Sequence, residues 1–229
     1  MPALELISFD ICPFVQRSAI ALQALGVDYG IRYIDLTDKP DWFLEISPRG
    51  KVPVLRVERG ALFESTPIAE FLNETVGNGA LLPSDAFDRA SARAWMATIS
   101  DLLGPVYVLS VAPSEKMARD QADKLRAGLA PVEQAMGDGP YFMGDALTLL
   151  DCVAAPLLQR MLWSQELQPS LELFLGLPKV EGWARRLTAH DAVKASTVPD
   201  IRDRFIKYAG GNHGVNQPDA AAAWLVQPR

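Results

Sequence analysis

Residues 10–17 read Asp-Ile-Cys-Pro-Phe-Val-Gln-Arg, and they join a short apolar run at residues 4–9 to a pattern typical of a helix. After Pro13 the apolar residues recur at helical spacing until Gly26, which predicts a strand, a loop and a helix in that order. Because proline is tolerated in the first turn of a helix, the cysteine at position 12 occupies the N-cap. The chain is therefore expected to begin with a βα unit whose helix starts at Cys12.

Cys12 is placed where a thiol can become a nucleophile. Unpaired N–H groups and the positive end of the helix dipole favour a thiolate there, so we expect a pKa below the free value of about 8.5. The alternative is a buried, inert cysteine that precedes a proline. A dithiol oxidoreductase would have its second cysteine at the position of Val15, so a second thiol must come from outside the chain.

The first half continues with elements of both kinds, in the order βαβ followed by ββα. Ser65 is suited to cap the last helix, and Pro67 fits its first turn. The further elements are an alternating strand at 28–36, a short helix near 41–46, a hairpin of 52–57 and 61–63 about a turn at Arg59-Gly60, and a helix at about 65–76.

The second half is predicted to be all-helical. Residues 77–85 are rich in Gly and Pro and form the candidate linker, and Thr148-Leu-Leu-Asp151 has the spacing of a capping box. We therefore expect an α/β domain at 1–76, the linker at 77–85, an all-α domain at 86–209, and a tail at 210–229 to which no function is assigned. The predicted helices are about 86–111, 114–136, 148–166, 178–190 and 199–209.

Composition excludes several classes of function. The chain has 229 residues, of which 49% are hydrophobic, and this suits one large or two modest globular domains. The net charge is −6 and the basic residues are scattered, so no nucleic-acid partner is expected. No apolar run approaches the roughly 20 residues that span a bilayer, and the N-terminus has no leader pattern. We expect a soluble cytoplasmic protein without membrane contact.

The remaining cysteine and the histidines are weaker candidates. Cys152 lies in an apolar helical pattern and far from Cys12 in sequence, so it is expected in the core and not in a disulfide. His190 and His213 are too isolated to form a metal site, and no metal is predicted. Tyr107 and Trp163 are either interior residues or part of an apolar wall for a second substrate.

Two further segments suggest a site that holds a peptide-like ligand. The Val52-Pro53 bond is either an ordinary trans bond at a strand start or a cis bond, and a cis bond would turn the Val52 backbone outward to pair with an extended peptide. Glu64 and Ser65 place a carboxylate and a hydroxyl at a helix start, where free N–H groups attract a carboxylate ligand. The pair is also explained as a simple capping device.

Together these motifs resemble the glutathione transferase family over nearly the whole chain. Their order is similar to that of its thioredoxin-like N-terminal domain, and Cys-Pro-Phe followed by Arg17 is similar to the omega-like class. Residues 38–43, Asp-Lys-Pro-Asp-Trp-Phe, resemble the lysine-bearing segment of that class. Residues 140–145, leading into 148–152, resemble the folding-box segment of the family's helical domain.

The resemblance implies a bacterial, dimeric enzyme that uses glutathione as its co-substrate. By this likeness Cys12 forms or breaks a mixed disulfide with glutathione, and the enzyme acts as a thiol transferase that reduces or deglutathionylates its substrates. The implied glutathione contacts are Phe14 as a wall, Val52 with Pro53 for the cysteinyl backbone, Glu64 and Ser65 for the γ-glutamyl end, and Lys39 with Lys51 as a second charge for the glycine carboxylate.

Two other hypotheses about the function of the same fold remain. One is a non-enzymatic binding protein similar to stringent starvation protein A, which binds RNA polymerase. That protein lacks a Cys-Pro-Phe nucleophile, and this chain has one. The other is a glutaredoxin-like electron carrier, which Val15 and the long helical domain disfavour.

Overall fold

The N-terminal part of the molecule is built on a four-stranded mixed sheet. The computed structural model describes residues 4–209, and its strand order is β2-β1-β3-β4. The central strand β1 pairs in parallel with β2 and antiparallel with β3, and β3 forms an antiparallel hairpin with β4. The strands are β1 (Glu5–Ser8), β2 (Gly30–Tyr33), β3 (Val54–Val57) and β4 (Gly60–Phe63).

Three helices complete this domain and confirm the predicted βαβ and ββα order: α1 (Pro13–Ala24), α2 (Asp41–Ile46) and α3 (Ser65–Thr75). Four local expectations are wrong. Strand β2 covers only Gly30–Tyr33 of the predicted 28–36, and β3 begins at Val54 and not at residue 52. Gly60 already pairs with Val57, so the hairpin turn lies one residue earlier than predicted. Ser65 is the first helical residue of α3 and not its cap, because Glu64 holds the N-cap position with a positive φ of 71°.

The C-terminal part is helical, as predicted. The expected helix at 86–111 is two helices that meet at Leu102, because Pro105 has no N–H to continue the hydrogen-bond ladder toward Asp101. Helix α10 begins at Ile201, two residues later than predicted. The helices are α4 (Ala86–Asp101), α5 (Leu103–Ser110), α6 (Glu115–Ala135), α7 (Leu149–Leu167), α8 (Pro178–Ala189), α9 (Asp191–Lys194) and α10 (Ile201–Ala209), with a short 3₁₀ turn at Pro169–Leu171.

Helix α7 lies at the centre of the helical domain and also packs on α1, so it joins the two domains. Its first turn has the predicted capping box: the Asp151 carboxylate accepts from the Thr148 N–H at 2.7 Å and from the Thr148 hydroxyl at 2.6 Å. The same carboxylate accepts from Trp183 Nε1 at 2.7 Å. No helix among residues 4–209 is both long enough and apolar enough to cross a bilayer.

Candidate active site

Cys12 lies at the N-cap of α1, with Pro13 as the first helical residue, as the sequence predicted. Its N–H donates to the Phe9 carbonyl at 3.0 Å, and its carbonyl accepts from the Gln16 N–H at 3.1 Å. The residue is partly exposed and is not in a disulfide. These two backbone bonds fix the thiol at the start of the helix, between the end of β1 and the helical domain.

The electrostatics of Cys12 correct one expectation. Desolvation by the surrounding protein raises the pKa of the thiol above its ordinary value, whereas the sequence predicted a lower one. The N–H groups of Val15 and Phe14 face the sulfur and lower this pKa, although neither forms a hydrogen bond of normal geometry. The charges of Arg160 and Arg17 act in the same direction without offsetting the desolvation. Cys12 is therefore mainly a thiol at neutral pH.

Arg160 links the helical domain to the loop of residues 9–12 that carries the thiol. It is only 4% exposed, and burial lowers its pKa to about 10, so the guanidinium stays positive at neutral pH. Its two terminal nitrogens donate to the Gln16 side chain at 2.8 Å, the Pro156 carbonyl at 2.9 Å and the Ile11 carbonyl at 2.7 Å. This residue was not predicted from the sequence. A single arginine in the apolar run of α7 was the available signal.

Arg17 is the second buried cation between α1 and α7, and it is 1% exposed. Its Nε donates to the Val153 carbonyl at 3.0 Å, and its guanidinium carbon lies 5.4 Å from the centre of the Phe14 ring. Its Nη2 is buried without a hydrogen-bond partner in the part of the chain that the structure describes. Burial lowers the pKa of Arg17 to about 10, and this guanidinium is also positive at neutral pH.

The Val52–Pro53 peptide bond is cis, one of the two possibilities that the sequence raised. The loop before it is braced by Ser47, whose hydroxyl donates to the Lys51 carbonyl at 2.9 Å and accepts from the Lys51 N–H at 3.0 Å. No hydrogen bond from any other of residues 4–209 engages the backbone N–H or carbonyl of Val52. Both groups are free to pair with an extended ligand.

Glu64 and Ser65 lie at the N-terminus of α3, where the first backbone N–H groups have no helical partner. The Glu64 carboxylate forms an exposed ion pair with Arg49, which was not predicted from the sequence as a site residue. Ser65 is buried, and its carbonyl accepts from the Ser18 hydroxyl of α1 at 3.4 Å. This contact ties the start of α3 to the helix that carries the thiol.

The lysines and Phe14 are exposed at the edge of the same domain. Lys39 precedes α2, and its Nζ lies 3.7 Å from where a Cβ of Gly50 would be, so the ammonium group is near the loop that leads to Val52. Lys51 is in that loop. Phe14 follows the thiol on α1 with its ring against Arg17. The structure thus places Lys39 and Lys51 beside one predicted binding segment and Phe14 beside Cys12.

The two aromatic candidates of the helical domain differ in exposure. Tyr107 is 50% exposed on α5, and its hydroxyl is 3.3 Å from that of Tyr208 on α10. Trp163 is buried, with its ring 5.3 Å from that of Phe205, and Ile11 packs against the same group. Because Phe205 belongs to helix α10, this helix packs over Ile11, the residue before Cys12.

The other predicted minor residues have structural positions. Cys152 is fully buried in α7, and burial raises the pKa of its thiol strongly. His190 caps α9 by accepting from the Ala192 N–H at 3.1 Å. His213 lies outside the described residues. Residues 4–209 contain no cluster of three or more side chains suited to a metal ion.

A surface cavity of about 940 Å³ lies at the far end of α1, where Gly26, Val27 and Phe71 are among its lining residues. The twelve residues of α1 span roughly 18 Å, so this cavity is well separated from Cys12. It is not part of the candidate active site.

A thioredoxin-like domain joined to an all-helical domain is the architecture of the glutathione transferases. Two family models match the chain: the N-terminal domain of glutathione S-transferase over residues 6–79, and its C-terminal domain over residues 85–186. The chain belongs to the glutathione S-transferase family.

Its relatives include glutathione S-transferases of a plant and of an animal. The chain is 31% identical over 200 residues to a probable glutathione S-transferase of Glycine max, covering 86% of this chain and 88% of that protein. It is 28% identical over 221 residues to glutathione S-transferase omega-1 of Sus scrofa, covering 95% and 88%.

Solved structures give the same result. Glutathione transferase Omega 3C from Trametes versicolor is 27% identical with a TM-score of 0.75, covering 85% of this chain and 88% of that chain. Rice GST1, solved in complex with glutathione, is 26% identical with a TM-score of 0.80, covering 93% and 99%.

Proposed function

We propose that this glutathione transferase is of the omega-like, cysteine type and acts as a thiol transferase through Cys12. The observation that carries the proposal is the position of the thiol, at the N-cap of α1 and within the field of two buried arginines. Tyrosine and serine transferases activate the thiol of glutathione itself. When the protein itself supplies the thiol, as Cys12 does here, that cysteine forms a mixed disulfide with glutathione. This favours reduction over conjugation.

Glutathione is proposed to bind across the N-terminal domain. The unpaired backbone groups of Val52, beside Pro53, suit the cysteinyl residue of the tripeptide as an added strand. The N-terminus of α3, with Glu64 and Ser65, suits the γ-glutamyl end, because its carboxylate finds free N–H donors there and its ammonium group finds a carboxylate. These contacts orient the tripeptide so that its sulfur faces Cys12.

The glycine carboxylate of glutathione is proposed to bind Lys39 and Lys51. Lys39 lies beside the loop that leads to Val52, and Lys51 is part of that loop. Phe14 is proposed to form a wall beside the sulfur. In the helical domain, the exposed ring of Tyr107 is proposed to contact a second substrate, and the buried ring of Trp163 to support that surface from the interior.

In the first half-reaction the Cys12 thiolate attacks the glutathionyl sulfur of a mixed disulfide. A Cys12–glutathione disulfide forms, the substrate's sulfur leaves as a thiolate, and it takes up a proton from solvent. A raised pKa leaves only a small fraction of Cys12 ionised at neutral pH, but a thiolate of higher pKa is also the stronger nucleophile. The N–H groups at the start of α1 and the two arginines stabilise the charge when the proton departs.

In the second half-reaction free glutathione attacks the Cys12–glutathione disulfide. Oxidised glutathione is released, and the Cys12 thiolate is regenerated. A glutathionyl thioether beside a ketone can enter the same cycle: its carbon–sulfur bond breaks as the new disulfide forms, and the carbon leaves as a stabilised carbanion that takes a proton. Glutathionylated proteins and small aromatic ketones that carry glutathione are candidate substrates. Dehydroascorbate is a further candidate: the Cys12 thiol adds to its carbonyl carbon, free glutathione attacks the Cys12 sulfur, ascorbate leaves, and the same Cys12–glutathione disulfide forms.

The rival function is a non-enzymatic binding protein on the same fold, like stringent starvation protein A. Retention on immobilised glutathione, together with turnover of hydroxyethyl disulfide at the expense of glutathione, tests the two proposals. We expect the chain to be retained and to reduce hydroxyethyl disulfide. We expect it to conjugate a chlorinated dinitrobenzene much more slowly. A chain that is neither retained nor active supports the non-enzymatic function, and fast conjugation without reduction contradicts the cysteine mechanism.

The active form is proposed to be a homodimer in the cytoplasm, where glutathione is kept reduced. Phe87 at the start of α4 and Phe63 at the end of β4 are 81% and 43% exposed, and such large apolar side chains suit a protein interface. Light scattering on Phe87→Asp and the parent protein tests this. A parent of dimeric mass and a variant of reduced association support it, and a monomeric parent contradicts it.

A further inference from the structure

Two cations are buried behind the thiol without a carboxylate partner. Arg17 and Arg160 both lie between α1 and α7, and neither forms an ion pair with an Asp or Glu anywhere in residues 4–209. A buried charge without a counter-charge destabilises the folded state, and well-packed apolar residues of similar volume would avoid that cost. Retaining both arginines therefore calls for an explanation beyond stability.

Their hydrogen bonds do not supply the missing charge. Arg160 donates to two carbonyls and one amide oxygen, which satisfy its N–H groups but carry no net charge. Arg17 has one hydrogen bond, and its buried Nη2 has none within the described residues. Both guanidinium groups lie beside the residues that flank the thiol: Arg160 donates to the carbonyl of Ile11, and Arg17 lies against the ring of Phe14. Among residues 4–209, Cys12 is the ionisable group whose charge acts on both of them.

We propose that Arg17 and Arg160 are a pair of positioning residues whose counter-anion is the thiolate of Cys12. The inference deepens the proposed thiol-transferase function and rests on Cys12 being its nucleophile. Two other charged groups near this loop, Asp10 and Arg204, pair with each other at the surface. The charges that act on the Cys12 sulfur are therefore mainly those of the two buried arginines.

The two arginines are proposed to stabilise the Cys12 thiolate at two steps of the catalytic cycle. The thiolate must form before Cys12 attacks, and it forms again when free glutathione displaces it from the mixed disulfide. Burial opposes both events by disfavouring the charged sulfur, and two positive charges held in the same low-dielectric region favour them. Without the cations a partly buried thiol at this position would ionise less readily.

The experiment is the rate of Cys12 alkylation by iodoacetamide against pH, measured on the full chain by peptide mass spectrometry. Below the pKa of a thiol, each unit by which that pKa rises lowers the thiolate population about tenfold. We expect Arg17→Met to lower the Cys12 rate about tenfold at about pH 7.5 and to move the whole rate profile to higher pH. Arg17→Lys should retain most of the rate, because it retains the charge.

Thermal unfolding separates this role from a structural one. Arg17→Met removes one hydrogen bond and one unpartnered buried nitrogen, so we expect a midpoint equal to or above that of the parent. Arg160→Gln should shift the profile in the same direction but destabilise the fold, because Arg160 holds three acceptors. Arg185→Met, at an exposed arginine of α8, is the matched control and should change neither measurement.

The outcomes separate this inference from the function on which it rests. An unchanged pH profile in Arg17→Met, with disulfide reduction intact in the parent, overturns the role of the arginine and leaves the thiol transferase standing. The role is also overturned if Arg17→Met lowers both the Cys12 alkylation rate and the unfolding midpoint, and Arg17→Lys does not restore the rate. A Cys12 that is no more reactive than Cys152 in the parent contradicts both proposals.

Discussion

The Arg160 guanidinium donates a hydrogen bond of 2.7 Å to the carbonyl of Ile11, the residue before Cys12. The same side chain donates to Gln16, and Gln16 in turn donates to Gln159 at 2.9 Å. Helices α1 and α7 are thus joined through buried polar groups next to the thiol. The position of Cys12 depends on the packing of both domains and not on the thioredoxin-like domain alone.

Removing the thiol should abolish the proposed activity without unfolding the protein. Cys12→Ala deletes one partly exposed sulfur, so the folded state should change little while glutathione-dependent reduction of hydroxyethyl disulfide is lost. Cys152→Ala is the matched control and should retain turnover. Steady-state rates and circular dichroism on both variants test this, and substantial residual turnover in Cys12→Ala would show that the nucleophile lies elsewhere.

Lys39→Ala should weaken glutathione binding more than it slows the chemical step. A partly exposed charge pair is worth about 1 kcal/mol, so the KM for glutathione should rise several-fold with kcat nearly unchanged. Lys124→Ala, at an exposed lysine of α6, serves as the control. If the KM is unchanged in Lys39→Ala but raised in Lys51→Ala, the glycine carboxylate contact belongs to Lys51.

The two cysteines should differ in their alkylation profiles. Because desolvation raises the pKa of Cys12, its thiolate fraction should grow about tenfold per pH unit through neutrality, with the inflection above the free value of about 8.5. Cys152 is fully buried, burial also raises the pKa of its thiol, and it should stay unlabelled until the protein unfolds. Site-resolved mass spectrometry provides both profiles. An inflection below neutrality at Cys12 would show that the helix terminus and the arginines outweigh desolvation.

The capping box of α7 should be a major source of stability. Asp151 accepts from Thr148, from the Phe142 N–H at 3.3 Å and from Trp183, and all of these bonds are lost in Asp151→Ala. We expect the free energy of unfolding to fall by about 3 kcal/mol or more. Denaturant unfolding measures this loss, with the exposed Asp145→Ala as control. Equal stabilities of the two variants would contradict the assigned role.

Asp151 should also contribute a pH dependence of known sign. Burial raises the pKa of its carboxyl in the folded state despite the hydrogen bonds that it accepts. The folded protein then binds more protons than the unfolded chain just above the ordinary carboxyl range, so this contribution to stability falls as pH rises through the folded-state pKa. Asp151→Asn cannot titrate and should flatten that slope in unfolding curves measured from acid to neutral pH.

Local patterns in the sequence were sufficient for much of the fold. The N-cap position of Cys12 follows from the strand, proline and helix around it, and the capping box follows from the spacing of Thr148 and Asp151. The break at Leu102 was missed because the apolar pattern runs through it, although Pro105 was a usable signal. The start of α3 was misplaced because Ser65 is a good N-cap residue in isolation, whereas the backbone places Glu64 there.

The electrostatics of the site were beyond the reach of the sequence. The raised pKa of Cys12 is a desolvation effect, and desolvation depends on which segments pack around the sulfur. Arg160 is 148 residues away from Cys12 along the chain (160 − 12), and only the packing of α1 on α7 brings its charge to the thiol. Arg17 appeared in the sequence as part of a motif, but its burial and its unpartnered nitrogen are tertiary properties.

The central claim is that Cys12 forms a mixed disulfide with glutathione. The most direct measurement is peptide mass spectrometry of the native protein after incubation with oxidised glutathione, read separately at the two cysteines. We expect one glutathionyl adduct at Cys12, none at Cys152, and complete release of the adduct by free glutathione. No adduct at Cys12, or an adduct that free glutathione does not remove, would contradict the proposed mechanism.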